Sequence, residues 1–458
     1  MVISMSFVSN MCPIKIETKL YYAHAKELSF KFQLLKAARS GYSIQENEVN
    51  KLNNLKYARK ENGQITIQEI FKNHWSEFVN IQKAKGKSIR QSILKNVEKM
   101  IHCKDLSLGY LFFECPKCNN FHIQGLSCHS RFCVSCGKKY RDARAFNIMK
   151  RCISVPHRHI TWTISEDLRW LFQKYKDLYI ELFSSVDDVL KYLIWNKSKA
   201  SRKRNERLGY ISSLHTFGRD MKHNPHIHTL VTECTIDNTK KRKPYSYFNY
   251  ETLRKAFMNQ LLKRMYRFLK RNKHCKDLIK FNDIRKNLYN KKDNGFYVNA
   301  PQKEVKNKNQ IKQIVNYVCR YQAHPAMSES RIISYDKDKG IVYYYYDPHE
   351  DDAILNDSDK IGRQYVTESV YEFIAKLIIH IPLDNIHLTR YYGFYANHSS
   401  LDISNQYKLF SFYDLHKVKS NLNWRTRLLS SYHYDPLICS CGAIMKIVPS
   451  HCYFLRIP

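Results

Sequence analysis

Two Cys-x-x-Cys pairs constrain the fold of this chain more than any other sequence feature. They are Cys115-Pro-Lys-Cys118 and Cys133-Val-Ser-Cys136, and 14 residues separate them. Each pair can point two thiolates at one tetrahedral zinc ion, and a loop of this length can bring both pairs together. We therefore predict a small module folded around a structural zinc ion that these four thiolates hold.

Further ligand types near the two pairs leave the number of zinc ions open. Cys103 and Cys128, with His122 and His129, either hold a second zinc ion or simply pack, because no spacing rule decides between the two. All 14 cysteines belong to a chain whose N-terminus is a poor signal peptide. Clustered thiols without an export signal indicate a reducing compartment, so we expect a cytoplasmic, nucleoid-associated bacterial protein.

The charge balance indicates a polyanionic partner. The chain carries 76 Lys and Arg against 41 Asp and Glu, a net charge of +35. It has enough aromatic residues to bury real cores, and it contains no apolar run of about 20 residues, so a disordered chain and a membrane-spanning protein are both excluded. The basic residues expected to contact DNA are Arg131, Lys138, Lys139 and Arg320, with Arg141 and Arg144 beside the second cysteine pair. A merely solvated basic face is the competing interpretation.

Hydrophobic periodicity predicts an α+β protein with an antiparallel sheet rather than a parallel, doubly wound one. Strands are expected at 159–164, 208–217, 226–232 and 296–299, with a hairpin at 332–335 and 341–346. Helices are expected to start after Thr66 and after Ser165, and over 253–268, 310–322 and 366–381. The expected regions are an N-terminal extension (1–62), a zinc-binding, DNA-binding domain (63–150), a catalytic domain (151–335) and a C-terminal region (336–458).

Three histidines are candidate ligands of a divalent metal ion. His226 and His228 lie two residues apart on a predicted strand, so both imidazoles project from one face. His215 lies on the preceding strand, and an antiparallel hairpin would place it beside them. His223 and Asp220 are close by along the chain and compete for the third ligand position.

Tyr317 and Tyr321 are the candidate nucleophiles. They lie four residues apart on a predicted helix, so their Cβ atoms share one side. Alone, this pattern favours ordinary boundary tyrosines, but a histidine-bound metal ion changes the interpretation. Such an ion polarises a phosphodiester, and a phenol can then attack the phosphorus and form a phosphotyrosine ester. Two tyrosines allow strand transfer, which simple hydrolysis does not require.

These segments, in order, resemble the HUH two-tyrosine transposases of rolling-circle insertion sequences. The similar segments are the cysteine block at 115–136, Leu214–Asp220 with His223–His228, Tyr317–Ile332, and the stretches at 373–382 and 390–393. The resemblance implies an antiparallel HUH endonuclease domain that nicks single-stranded DNA at element ends and joins it to a target. It implies that Tyr317 and Tyr321 are nucleophiles and that His226 and His228 hold Mg²⁺ or Mn²⁺.

The chain departs from the family pattern at both ends. An extension of about 60 residues precedes the zinc-binding region, and Cys439-Ser-Cys441 stands where a Cys-x-x-Cys pair is expected. With His451 and Cys452, this compressed motif is a candidate for a second small metal site. Two alternatives remain open: a zinc-dependent DNA-binding protein with a decayed or regulatory nicking centre, and a plasmid relaxase or replication initiator of the HUH class. The sequence does not fix the oligomeric state.

Overall fold

The computed structural model describes residues 2–3, 44–45, 65–195, 199–246, 248–291, 295–301, 308–321, 326–347, 362–382, 386–396, 399, 408–411, 416, 423, 425, 435 and 437–454. The side chains of a few residues within these ranges, Lys138, Lys139, Tyr317, Arg320 and Tyr321 among them, lie outside the description. Most of the expected N-terminal extension also lies outside it.

In chain order, the helices are α1 (Ile67–Ala84), α2 (Gln91–Ile101), α3 (Val134–Met149), α4 (Arg169–Lys174), α5 (Leu178–Trp195), α6 (Lys199–Lys203), α7 (Tyr250–Arg271), α8 (Cys275–Asn290), α9 (Lys308–Tyr321) and α10 (Val370–Ile378). Short 3-10 turns occur at Leu106–Leu108, Glu166–Leu168, Glu329–Arg331 and Pro449–His451. The strands are β1 (Val2–Ile3), β2 (Ile44–Gln45), β3 (Gly109–Glu114), β4 (Phe121–Gly125), β5 (His157–Thr163), β6 (Arg207–Phe217), β7 (His223–Ile236), β8 (Arg242–Pro244), β9 (Val298–Asn299), β10 (Ile332–Asp336), β11 (Ile341–Tyr346), β12 (Gln364–Ser369), β13 (Thr389–Gly393), β14 (Lys446–Ile447) and β15 (Tyr453–Phe454).

An antiparallel sheet of six strands forms the centre of the molecule. Its strand order is β13-β6-β7-β5-β9, with β8 paired to β7. Every strand pair in the described part of the chain is antiparallel. The prediction of an α+β fold with an antiparallel sheet is therefore confirmed.

Helices cover both faces of this sheet because its strands alternate between two apolar sets of side chains. On one face, Trp162, Leu214 and Ile227 pack with α5 and α7 in the largest core. On the opposite face, Ile211 and Leu230 pack with α3 and α9 in a second core. The short strands β13 and β9 form the two edges of the sheet. The long hairpin of β6 and β7 therefore lies inside the sheet, with helices packed on both of its faces.

A third core joins the N-terminal helices to a small sheet. Thr66 caps α1 by accepting a hydrogen bond from the Glu69 backbone N–H at 3.1 Å, as predicted. Helices α1 and α2 then pack against α10 and the three-stranded sheet β10-β11-β12, with Phe71, Tyr344 and Phe373 fully buried. This core places the zinc-binding region beside the central sheet.

The region after residue 336 contributes strands to three sheets. β11 and β12 complete the small sheet, β13 adds an edge to the central sheet, and β14 and β15 pair with β3. The predicted start of the helix over 366–381 was wrong. Gln364–Ser369 is a strand, and α10 begins at Val370, after a capping box formed by Ser369 and Glu372. The cap stops the helix from extending backwards, and the pairing of β12 with β11 takes the preceding residues.

None of the described helices is both long and apolar enough to cross a membrane.

Candidate active site and metal centres

The structure brings His215, His226 and His228 together at the turn end of the β6–β7 hairpin. His215 pairs with His226, and Ser213 pairs with His228, in the register of the two strands. One potential ligand nitrogen from each of the three histidines lies within 4.8 Å of the others. All three side chains are buried. The group therefore matches the expected set of three imidazoles.

Hydrogen bonds orient two of these imidazoles. The Nδ1 of His226 lies 2.7 Å from the carbonyl oxygen of Asn224; because a carbonyl only accepts, Nδ1 carries the proton and Nε2 is the nitrogen available to a metal ion. The Nδ1 of His228 shares a hydrogen bond with the Nε2 of His159 at 3.0 Å, and Thr161 Oγ1 lies 3.3 Å from the same nitrogen. Strand β5 thus supports the site from behind.

The surroundings of His228 favour the neutral form of its imidazole. Burial lowers the pKa of His228 well below its usual range, and the neighbouring His215, His226 and His159 lower it further. Neutral imidazoles offer the lone pairs that a divalent cation needs, since binding to a metal requires the deprotonated nitrogen. The chemistry of this donor set fits a divalent metal ion.

His223 and Asp220, the other candidates for the third ligand position, do not belong to this group. His223 Nε2 hydrogen-bonds the Tyr179 hydroxyl at 3.0 Å, and burial lowers the pKa of His223 to about 3. Asp220 accepts a hydrogen bond from the backbone N–H of Lys222 at 3.0 Å within the turn. His223 therefore packs towards α5, and Asp220 closes the loop.

Tyr317 and Tyr321 lie on α9, as the sequence predicted. Ile311, Val315 and Val318 of this helix are buried in the core that contains Ile211 and Leu230. Ile211 lies on the same face of β6 as His215, and Leu230 lies on the same face of β7 as His228. The backbone of the tyrosine helix therefore covers the face of the sheet that carries the three histidines.

The cysteines form two separate groups, and the expected pairing of the two Cys-x-x-Cys motifs was wrong. Cys133 and Cys136 join Cys103 and Cys128, whereas Cys115 and Cys118 join Cys439 and Cys441. Strand β4 lies between the two motifs along the chain. His122, His129, His451 and Cys452 belong to neither group; the Cys452 thiol instead accepts a hydrogen bond from the Phe112 backbone N–H at 3.4 Å.

The first group has the geometry of a zinc site. Cys136 Sγ lies 3.6 Å from Cys103 Sγ and 3.7 Å from Cys128 Sγ. A tetrahedral zinc ion with Zn–S bonds of about 2.3 Å would space its sulfur atoms about 3.8 Å apart. Hydrogen bonds from Cys103, Cys128 and Cys133 lower the pKa of Cys136, while the hydrogen bond with Cys103 raises the pKa of Cys128 and of Cys133. The hydrogen bond with Cys128 lowers the pKa of Cys103 as well, so two of the four thiols favour the thiolate form that a zinc ion binds.

A basic cavity of about 170 Å³ connects the zinc-binding region to the histidine group. His215 lines it from the sheet, and Arg131 lines it from the loop between the first-group cysteines. The other cationic lining residues are Arg90, Arg141, Arg144 and Lys176. His380 lines the cavity as a neutral imidazole, because burial lowers its pKa to about 4. No carboxylate contributes to the described lining.

Burial and neighbouring cations lower the pKa of two basic residues that line this cavity. Burial lowers the pKa of Arg144, and the guanidinium of Arg131 lowers it further. Burial and the charge of Arg90 lower the pKa of Lys176 to about 8. Cations that are held close to each other in a half-buried cleft favour a polyanionic ligand.

The sequence predicted only part of this cavity. Arg131, Arg141 and Arg144 were expected basic residues, and all three line it. Arg90 precedes α2 and Lys176 lies between two helices, where a single cation carries no local signal; only the tertiary fold brings them to His215. The side chains of Lys138, Lys139 and Arg320 lie outside the described residues.

Comparisons with known proteins match this chain in two consecutive segments. A family model described as "Transposase zinc-binding domain" matches residues 70–164, and one described as "Putative transposase" matches residues 209–401. The transposase for insertion sequence element IS801 of Pseudomonas savastanoi pv. phaseolicola is 28% identical over 315 residues, which cover 68% of this chain and 72% of that protein. "Putative transposase y4qJ" of Sinorhizobium fredii is 23% identical over 343 residues, 72% of this chain and 80% of that protein. No solved structure matches significantly.

These matches define the class of the protein as a transposase, an enzyme that acts on DNA, with its own zinc-binding domain. More narrowly, the predicted resemblance to the transposases of rolling-circle insertion sequences is confirmed.

Proposed function

We propose that this transposase nicks single-stranded DNA at the ends of its element and transfers the strand through a phosphotyrosine intermediate. The observation that carries the proposal is the placement of α9, with Tyr317 and Tyr321, on the sheet face that presents His215, His226 and His228. This combination of antiparallel sheet, histidine group and tyrosine helix supports an HUH endonuclease fold for the catalytic domain.

The histidines would hold Mg²⁺ or Mn²⁺. When bound, the cation supplies Lewis-acid polarisation of the scissile phosphate. The protein's own contribution is to orient two of the imidazoles, that of His226 through the Asn224 carbonyl and that of His228 through His159. Their burial among strands β5, β6 and β7 holds them rigidly before DNA binds.

In the proposed reaction the phenolic oxygen of one tyrosine attacks the phosphorus. A new tyrosine O–P bond forms, the P–O bond to the departing strand breaks, the departing oxygen takes a proton, and the phenol gives one up. The ester conserves the energy of the phosphodiester bond. A hydroxyl of the target can therefore reverse the process and join the strand without ATP, while the second tyrosine serves the next cleavage.

The basic cavity is the proposed path of the strand towards the histidines. Arg131, Arg144 and Lys176 would contact backbone phosphates, and Tyr140 and Phe217 of the same lining offer faces for base stacking. The zinc-binding region supplies one wall and the catalytic sheet supplies the other. We assign the first group of cysteines, Cys103, Cys128, Cys133 and Cys136, to the structural zinc ion that fixes the first wall.

Formation of a covalent protein–DNA adduct tests the proposed function. Purified protein is incubated with labelled single-stranded oligonucleotides that carry element ends and with Mn²⁺, and adducts are resolved under denaturing conditions. We expect adducts for the wild type and for the control Tyr250→Phe, whose exposed side chain lies on α7. We expect none for the double variant Tyr317→Phe/Tyr321→Phe.

The metal ligands are tested in the same assay. His226→Ala/His228→Ala should lower adduct formation by at least about a hundredfold, the scale of losing an electrostatic contact to the reacting group, and should still bind DNA. His102→Ala, in the zinc-binding region, is the matched control and should react normally. Adducts that persist in the double tyrosine variant would refute the nucleophiles. Tight DNA binding without any adduct would support the DNA-binding protein with a decayed centre instead.

A further inference from the structure

The second group of cysteines joins residues from distant parts of the chain. Cys115 Sγ lies 3.5 Å from Cys441 Sγ, and Cys118 Sγ lies 3.4 Å from Cys439 Sγ. All four sulfur atoms lie within 4.8 Å of each other. These distances are far longer than a disulfide bond of about 2.05 Å and close to the edge of about 3.8 Å in a zinc tetrathiolate.

Both halves of this group are preformed turns. At the first, the Cys115 N–H donates to Asn120 O at 2.7 Å and the Asn119 N–H donates to Cys115 O at 3.0 Å, with Asn119 at φ +58°. At the second, the Cys439 N–H donates to Ala443 O and the Gly442 N–H donates to Cys439 O, both at 2.9 Å, with Gly442 at φ +83°. Each turn thus presents two thiols on one side, which explains how Cys-x-Cys-Gly can replace a Cys-x-x-Cys pair.

Protein contacts around the group are few. Its apolar core consists of Phe113, Cys115, Cys439 and Met445, with partly buried neighbours. Among the described residues, the C-terminal segment is joined to β3 by the two-residue strands β14 and β15 and by two hydrogen bonds of Phe112, with Val448 and with Cys452. A core this small does not hold a chain segment by itself, and natural modules of this size use a metal ion or disulfides to do so.

We infer that Cys115, Cys118, Cys439 and Cys441 bind a second structural zinc ion, which fastens residues 437–454 to the zinc-binding region. This site is distinct from the one formed by Cys103, Cys128, Cys133 and Cys136. Half of its ligands lie outside residues 70–164, the segment that matches the zinc-binding family model. The zinc-binding region is therefore complete only when the C-terminal segment is in place.

Counting zinc in the purified full chain by elemental analysis tests this inference. We expect two zinc ions per wild-type chain and one in each of the double variants Cys439→Ser/Cys441→Ser and Cys115→Ser/Cys118→Ser. The control Cys275→Ser, an exposed cysteine on α8 that belongs to neither group, should retain two. One zinc ion in the wild type, or two in Cys439→Ser/Cys441→Ser, would overturn the inference.

A measurement on the wild type keeps the test decisive where a double variant fails to fold. Zinc is replaced by ¹¹³Cd in the full chain, and the number of tetrathiolate cadmium signals is read by NMR. Two such signals are expected, and a single one contradicts the second site. In a folded Cys439→Ser/Cys441→Ser variant, amide hydrogen exchange should accelerate in β14 and β15 and stay slow across β5–β7; unchanged exchange in β14 and β15 would show that zinc does not fasten the segment.

Discussion

At the residue scale, the least expected feature is a lysine in the basic cavity whose charge depends on pH near neutrality. Lys176 lines the same cavity as His215, and its pKa is lowered to about 8 by burial and by Arg90. Below that pH the side chain carries a positive charge, and above it the side chain is neutral. Its contribution to binding a phosphate is therefore present at pH 7 and lost as the pH rises to 9.

We predict that the affinity for single-stranded DNA falls between pH 7 and pH 9, by about tenfold for the loss of one charged contact of about 1.4 kcal/mol. Lys176→Arg should remove most of this pH dependence, because the guanidinium stays charged. Lys176→Gln should bind as weakly at pH 7 as the wild type does at pH 9, and its log–log salt dependence should be shallower by about 0.7. Fluorescence anisotropy with a labelled oligonucleotide measures all three proteins.

Lys263→Gln provides the control for this experiment, because Lys263 is exposed on α7 and does not line the cavity. It should leave the pH profile unchanged. An equal pH dependence in wild type and Lys176→Arg would show that Lys176 does not contact the DNA.

At the element scale, the position of the histidine hairpin depends on a glycine in the neighbouring edge strand. Gly393 ends β13, has φ +58°, and packs so closely on β6 that a Cβ atom there would lie 1.6 Å from the carbonyl oxygen of Leu208. No side chain fits without moving one of the two strands. Gly340, in the turn between β10 and β11, has a similar φ of +63°, but its nearest neighbour would be Val370 Cγ1 at 3.5 Å.

We predict that Gly393→Ala lowers the free energy of unfolding by about 3–5 kcal/mol, the range of the severe single substitutions. Gly340→Ala should cost only about 1 kcal/mol, the cost of a positive φ without a clash. Urea unfolding followed by circular dichroism measures both values. Equal losses in the two variants would mean that the close approach of β13 to β6 does not matter for stability.

The sequence predicted the local elements well and the long-range pairing poorly. Alternation in β6 and β7 and the short loop between them were enough to place His215 beside His226, since a hairpin needs only local information. The support from His159 requires the pairing of β5 with β7 across a separation of 69 residues, which no local pattern encodes. The prediction of which cysteines share a zinc ion was wrong for the same reason. Sequence spacing favours pairs that are close along the chain, whereas Cys115 contacts Cys441, which lies 326 residues away.

At the scale of the whole molecule, elements near the C-terminus pack against earlier parts of the chain in several places. β13 extends the central sheet, α10 packs on α1, and β14 and β15 extend the sheet of the zinc-binding region. The basic cavity lies between the zinc-binding region and the central sheet, so the proposed path of the DNA strand to His215 requires both to hold their positions.

Identification of the amino acid that becomes linked to DNA tests the central claim most directly. The adduct formed with Mn²⁺ is digested with trypsin, which separates the two candidates, because Tyr317 falls in the peptide 313–320 and Tyr321 begins the peptide 321–331. Mass spectrometry should find the added nucleotide mass on one or both of these peptides and on Tyr317 or Tyr321 within them. A nucleotide mass on any other residue, or cleavage of the oligonucleotide without any linked peptide, would contradict the account.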